Sequence, residues 1–371
     1  MEHLAEELCL QLISHLDRGP PSDAHFFHEP DPSTFTSFRD RPLKQLSLVS
    51  QKWRRIVKPL LFQYLRFTLH ILDDERNEWT PDSAPELAQI RHFLASLGAR
   101  RSVSSLVVRA LGEIYGPPSC DVRTMSSTFW LAIFQHIEPA CIKLLAPPAA
   151  LTRFTACNGD LDHSWAFDQK YHILELRQSP AAVHAALQAP VSNITGLLAS
   201  RTWCHVGYNE GSSLPAYNLY EYQHYVSPCL LPHLLERMTW AVSTTTTSLT
   251  YVAIFPTSSN IFRLARDITA APDRCKLTFQ LAPEPTSAIL HERHRMKRAQ
   301  PADLWVELDR GYELLAGCVF HTSRHSQCWD VRSRDYRWSA LVDTLDDKQH
   351  LGRLKDHGWV RTGAEWVLGG R

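Results

Sequence analysis

The chain carries 39 Lys+Arg against 39 Asp+Glu over 371 residues, with 44% hydrophobic and 21% charged residues. That composition excludes a wholly disordered polymer, and zero formal charge with a pI near 7.3 excludes whole-molecule attraction to nucleic acid or an anionic membrane. The length suits about two or three domains.

The first residues include Glu2, Glu6 and Glu7, the reverse of a basic signal-peptide start. The two longest uncharged stretches, Arg177 to Arg201 and Arg237 to Arg263, are broken by Pro, Asn and Ser or by the Thr244–Thr247 run, so neither reads as a membrane span. Nine Cys without a CxxC pair read as free thiols of a reducing compartment. The expected setting is cytoplasmic and/or nuclear, and the Asn193-Ile194-Thr195 sequon receives no role.

Leu4, Leu8, Leu12, Ile13 and Leu16 form one helical stripe over residues 4–16. Residues 18–42 break all periodicity, with Pro20, Pro21, Pro30 and Pro32 among Ser, Asp and Phe, and read as a loop. From Leu43 the stripe resumes through Leu46, Val49, Trp53, Ile56 and Val57. Pro59 is read as the first turn of a further helix carrying Leu60, Leu61, Tyr64 and Leu65.

Beyond residue 68, helix-like and strand-like stretches alternate. Helix-like 85–97, closed by Gly98, precedes strand-like 105–109, and helix-like 128–138 precedes strand-like 142–145 and 151–155. Strand-like 173–176 follows; then helix-like 230–242 precedes 249–254, and helix-like 260–269 precedes 276–281. The alternation predicts an α+β or α/β layout with neighbouring strands parallel. Leu151, Phe154, Ala156 and Leu161 fit leucine-rich-repeat spacing loosely, at uneven strand intervals. From Pro301, Leu304, Leu308, Leu315 and Val319, then Tyr336, Leu341, Val342 and Leu345, predict a helical end rich in Trp (Trp305, Trp329, Trp338, Trp359, Trp366).

The N-terminal helix Leu4-Ala-Glu-Glu-Leu8, the run Leu46-Ser-Leu-Val49-Ser-Gln-Lys-Trp53-Arg54 and the continuation Pro59-Leu-Leu-Phe resemble the F-box in its fungal form. The resemblance covers about residues 4–67. Two features depart from the family pattern: Ala5 stands where Pro usually follows the first Leu, and residues 18–42 separate helices that are usually joined by a few residues. The closure cost of so long an insertion rises only logarithmically.

The resemblance implies a three-helix unit, residues 1–67, that docks on the Skp-type adaptor of an SCF (Skp–cullin–F-box) ubiquitin ligase and through it on cullin. The contact would be helix-in-groove, with Leu4, Leu8, Ile13, Leu46, Val49 and Trp53 as anchors and Arg54 beside them. The competing use of these residues is to hold the three helices together. Residues 68–300 would form an irregular leucine-rich-repeat-like α/β region presenting an unidentified protein client, and residues 301–371 a helical C-terminal cap. The expected role is a non-catalytic substrate-recognition adaptor without cofactors, the alternative being an F-box scaffold outside the ligase.

Charge is unevenly spread. Residues 43–67 hold Lys44, Lys52, Arg54, Arg55, Lys58 and Arg66 and no acid, whereas residues 1–42 hold three Arg against eight acids. A basic helix facing an acidic partner gains association rate; a solvated basic face is the plainer alternative. No nucleic-acid-binding motif accompanies the patch, so neither nucleic acid nor membrane is expected as a partner.

Cys318, His321, His325 and Cys328 supply zinc-type donors within eleven residues, though in an unusual ligand order; a buried Cys beside a polar loop is the alternative. His291–Arg298 reads either as a nuclear-import or anion-binding run or as a solvated loop. No phosphate-cradling Gly loop, nucleophile elbow or His-Glu-x-x-His helix is present, so no catalytic residue is named.

Overall fold

The computed structural model describes residues 6–16, 19–37, 42–71, 79–113 (except 99), 127–161 (except 158 and 160), 170–238 (except 192, 193, 195, 220 and 226), 245–268, 274–323 (except 285 and 286), 328–335, 359–362 and 365–368. Helices α1 (Glu6–Leu16), α2 (Pro21–Ala24), α3 (Pro42–Val49) and α4 (Gln51–Leu61) precede strand β1 (Tyr64–His70). Next come α5 (Glu86–Ser96), β2 (Arg101–Val103), β3 (Ser105–Leu111), α6 (Ser127–Phe134), β4 (Ile137–Pro139), β5 (Cys141–Ala146) and α7 (Pro148–Thr155). The middle continues with β6 (His172–Arg177), α8 (Pro180–Gln188), β7 (His205–Ser212), α9 (Leu231–Arg237), β8 (Ser248–Ile254), α10 (Ser258–Ile268) and β9 (Arg274–Gln280). Helices α11 (Arg293–Met296) and α12 (Pro301–Ser323) lead to β10 (Cys328–Ser333), β11 (Trp359–Thr362) and β12 (Glu365–Leu368).

Helices α1, α3 and α4 pack on one another around Cys9, Ile13, Trp53, Ile56 and Val57, with Leu43, Leu46, Leu60 and Leu61 at the margin. Ser50 separates α3 from α4: its backbone is extended and its hydroxyl accepts the Trp53 N–H, an N-cap that restarts the helix after Val49. The expected break at Pro59 does not occur, since α4 runs through it to Leu61. Near a helix end the ring removes one main-chain donor without unwinding the last turn.

The rest of the chain is a mixed α/β body. Among the described residues ten strands form one sheet in the order β1-β3-β5-β6-β7-β8-β9-β10-β12-β11, and β2 pairs with β4 in a small second sheet. Up to β10 the strands of the large sheet follow chain order. Alternation assigns the faces: Leu65, Leu106, Leu144, Leu174, Val206, Leu249 and Leu277 point into the main core. That core is completed from α5, α6, α7, α9, α10 and α12, for example by Ile90, Trp130, Phe154, Leu234, Ile261 and Leu308. The sheet is therefore covered by helices on one face. Gly98 ends α5 region by adopting φ +83°, as its position after the last periodic Leu requires.

Three further expectations need correction. Parallel pairing holds for β1-β3-β5 and for β7-β8-β9-β10, but β6 runs antiparallel to both β5 and β7. β6 begins beside the end of β5, with His172 opposite Ala146; apolar periodicity carries no information on strand direction. Residues 151–155, read as a strand with repeat-like spacing, belong to α7. Pro147 and Pro148 start that helix, and Thr152 and Thr155 turn their hydroxyls back onto the Ala149 and Leu151 carbonyls.

The third concerns the C-terminal cap, which is not wholly helical. Helix α12 packs against α10 and contributes Leu304, Leu308, Tyr312 and Leu315 to the main core, while β10 extends the sheet in parallel with β9 and β12 and β11 finish it antiparallel. An open β9 edge offers unpaired N–H and C=O groups, and Cys328–Ser333 satisfies them. Tyr336, Trp338, Leu341, Val342 and Leu345 lie outside the described residues.

Candidate functional site

Residues 19–37, read from sequence as a loop, form a strap across the face of the large sheet that carries no core helices. Alternation places Val107, Leu145, Ile173 and Val252 on that face, where they enclose Phe26 and Phe35 in a second apolar cluster separate from the main core. The strap lies over β5 and β6 at Ser22 and Asp23, reaches β9 at Phe27 and returns to β1 at Thr36. Its path is fixed mainly through main-chain carbonyls. Asn209 Nδ2 donates to the Phe26 and His28 carbonyls at 2.6 and 2.7 Å, Gln280 Nε2 to the Phe27 carbonyl at 3.2 Å, and an Arg109 guanidinium N–H to the Pro32 carbonyl at 2.6 Å. The Arg334 guanidinium stacks 3.6 Å over the Phe27 ring.

Side-chain charge anchors the near end of the strap. Lys143, fully buried, pairs with Asp23 of the strap and with Glu175 at 3.2 Å, and donates to Ser22 Oγ at 3.3 Å. Arg177 reaches Asp23 at 3.3 Å and pairs with Glu175. Burial alone would raise the Glu175 carboxyl, but Lys143 and Arg177 overcome it and hold the group below the usual range. Burial pushes the neighbouring His205 down to about 4, so the imidazole is neutral at pH 7. Under the Phe26 ring lies Gly207, where a Cβ would fall 2.8 Å from Phe26 Cζ. Where Glu29–Pro32 meet Tyr171 and Gly211, the strap walls a cleft of about 490 Å³. Two of its cations are already paired, Arg295 with Glu29 and Lys170 with Glu113.

The strap and its seat were missed as a functional unit. The available signal was Lys143 at the centre of an otherwise apolar strand and Glu175 between two leucines of the next.

The adaptor-docking candidates divide into two sets. Ile13 and Trp53 are buried in the three-helix core and Leu46 is half-buried against it. Leu8 and Val49 are 48% and 68% exposed, and Leu48, which the sequence reading did not select, is also 68% exposed. Arg54 is exposed; its Nε donates to the Ser47 carbonyl at 3.2 Å, placing a cation at the end of α3. Leu4 lies outside the described residues. The core positions and the surface positions thus have different jobs, which the shared helical stripe conceals.

For the proposed zinc donors, Cys318 and His321 fall on α12 and Cys328 on β10, with no side-chain description, and His325 lies outside the described residues. Among the described residues no group of three or more His, Cys, Asp or Glu could hold a metal, and Cys9, Cys141, Cys157, Cys204 and Cys229 are free thiols. Among them, too, no helix is long and apolar enough to cross a membrane.

Two further buried polar hubs stand elsewhere in the body, Glu210 also bordering the strap-walled cleft. Glu138, fully buried, joins Arg100, Arg201 at 2.8 Å and Gln178 at 2.7 Å, tying β4 to the segments around it. On the helix side of β7, Glu210 accepts from Tyr251 at 2.6 Å and from Asn260, with the Cys229 thiol as a further hydrogen-bond partner. No family model, curated protein or solved structure matches the chain.

Proposed function

We propose that the chain is a non-catalytic receptor of F-box type: the α1–α3–α4 unit docks on a Skp-type adaptor, and the sheet body presents a protein client for ubiquitination. The observation that carries this reading is the division of labour within the small unit. Ile13, Trp53, Ile56 and Val57 fill its core, yet Leu8, Leu48 and Val49 remain at the surface. Large apolar side chains on so small a unit are better accounted for by a partner than by folding. The exposed Lys44, Arg54, Arg55 and Lys58 on the same helices suit an acidic adaptor surface. Strands laid down in chain order, with helices on one face, support a leucine-rich-repeat-like body, interrupted at the antiparallel β6. The cytoplasm or nucleus is the compartment that goes with this role.

The test is co-expression with a Skp-type adaptor and cullin. Recovery of the chain with both supports the ligase receptor. Recovery with the adaptor but without cullin favours the scaffold alternative. No recovery with the adaptor removes the reading altogether.

A further inference from the structure

We propose that the strap face is the client-binding surface of this receptor, and that residues 19–37 occupy it as an internal mimic of the client, a peptide segment with an acidic residue three positions before an aromatic one. The inference rests on the receptor reading above and names the substrate class of the same molecule.

The chemistry of the seat is that of a peptide reader. Asn209 and Gln280 donate to the Phe26 and Phe27 carbonyls of the short helical turn His25–Phe27 and to the His28 carbonyl that follows it, and Arg109 to the Pro32 carbonyl, so the seat reads main-chain groups of a helical turn and its exit. Selectivity comes from two positions. Lys143 and Arg177 both engage the Asp23 carboxylate, and the space above Gly207 takes the Phe26 ring. Asp23 and Phe26 are three residues apart, and that spacing defines the motif.

The strap also packs apart from the main core. Its apolar contacts form a cluster of six buried residues, distinct from the main core. Removing the strap would uncover Val107, Leu145, Ile173 and Val252 and leave Lys143 paired with Glu175 alone. An incoming segment with an acid and an aromatic ring at the same spacing restores both losses, so exchange replaces like with like. A segment lacking the acid leaves a buried ammonium under-compensated and is rejected. Because the free face is only a fraction of the population, client affinity is reduced by that fraction, and weakening the strap raises it.

A fluorescein-labelled peptide of residues 19–37 supplies the probe, titrated by anisotropy against the full chain. The Phe26→Ala chain is expected to bind it at least tenfold more tightly than wild type, and the Asp23→Asn chain several-fold more tightly. Peptides carrying Asp23→Asn or Phe26→Ala are expected to bind at least tenfold more weakly than the unaltered peptide. Asp23 is half-exposed and Asn is nearly isosteric, so that chain gives the answer if Phe26→Ala lowers the folded fraction. Folded chains that all fail to bind, or that bind altered and unaltered peptides equally, overturn the proposal. Adaptor binding is scored separately. A chain that binds adaptor but no peptide keeps the receptor reading and loses this one, and a chain that binds peptide but no adaptor loses the receptor reading.

Discussion

Glu210→Gln should abolish a loss of stability that the wild-type chain suffers as pH rises. Glu210 is fully buried on the helix side of β7, and burial pushes its carboxyl from 4.5 up to about 7, against the lowering effect of hydrogen bonds from Tyr251, Cys229 and Asn260. Below pH 4.5 the folded and unfolded states both carry the proton, and the contribution of this group is complete. Between 4.5 and about 7 the unfolded chain releases its proton while the folded chain keeps it, so stability falls with rising pH. At about 1.4 kcal/mol per pKa unit, the interval corresponds to a loss on the order of 3 kcal/mol, complete above pH 7. Gln is neutral throughout and accepts from Tyr251 and Asn260 through its own oxygen. Urea unfolding followed by circular dichroism is expected to give similar stabilities for the two proteins at pH 4.5, with the variant ahead by about 3 kcal/mol at pH 8. Asp335, raised to about 6 by burial, adds a loss of the same sign to both proteins and cancels in the difference. A variant whose advantage is independent of pH would refute the assignment of the titration to Glu210.

Trp53→Ala should destabilise the three-helix unit by about 3–5 kcal/mol, because it empties the centre of that core. Leu48→Asp, at a 68% exposed position, should stay within about 0.5 kcal/mol, and thermal melting separates the two. Glu138→Ala leaves two guanidinium groups facing a vacated buried site and should cost about 3–5 kcal/mol in urea unfolding. Gly207→Ala overpacks the Phe26 ring and should cost about 1–3 kcal/mol, with faster protease cleavage within residues 19–37.

The strands most legible in the sequence were those whose runs are apolar or β-branched: β3, β5, β6, β8 and β9 were all placed to within two residues of their ends. β7 was not legible because its composition is set by the strap packed on it. His205-Val-Gly207-Tyr-Asn209-Glu210 has its small and polar residues where the strap sits, with Gly207 below Phe26 and Asn209 holding two strap carbonyls. The composition that seats the strap is the composition that hides the strand. The strap itself has no period because its order comes from contacts with strands 30 to 253 residues away, from Arg66 to Gln280. α7 was lost for a different reason. Thr152, Phe154 and Thr155 carry strand propensity, but packing of Leu151 and Phe154 into the main core decides the helix. In the N-terminal unit the helical stripe was legible, yet periodicity alone does not say which of its residues face inward. It marked Trp53 and Val49 alike, though one is buried and the other open to solvent.

The claim that the exposed apolar residues of α1 and α3 form a docking surface is tested most directly by isothermal titration of the full chain with a Skp-type adaptor, wild type against Leu48→Asp/Val49→Asp. Buried interface anchors contribute about 2 kcal/mol or more when removed, so the double variant should bind at least about a hundredfold more weakly while melting at the wild-type temperature. No binding by the wild type, or equal binding by the folded double variant, would contradict the account.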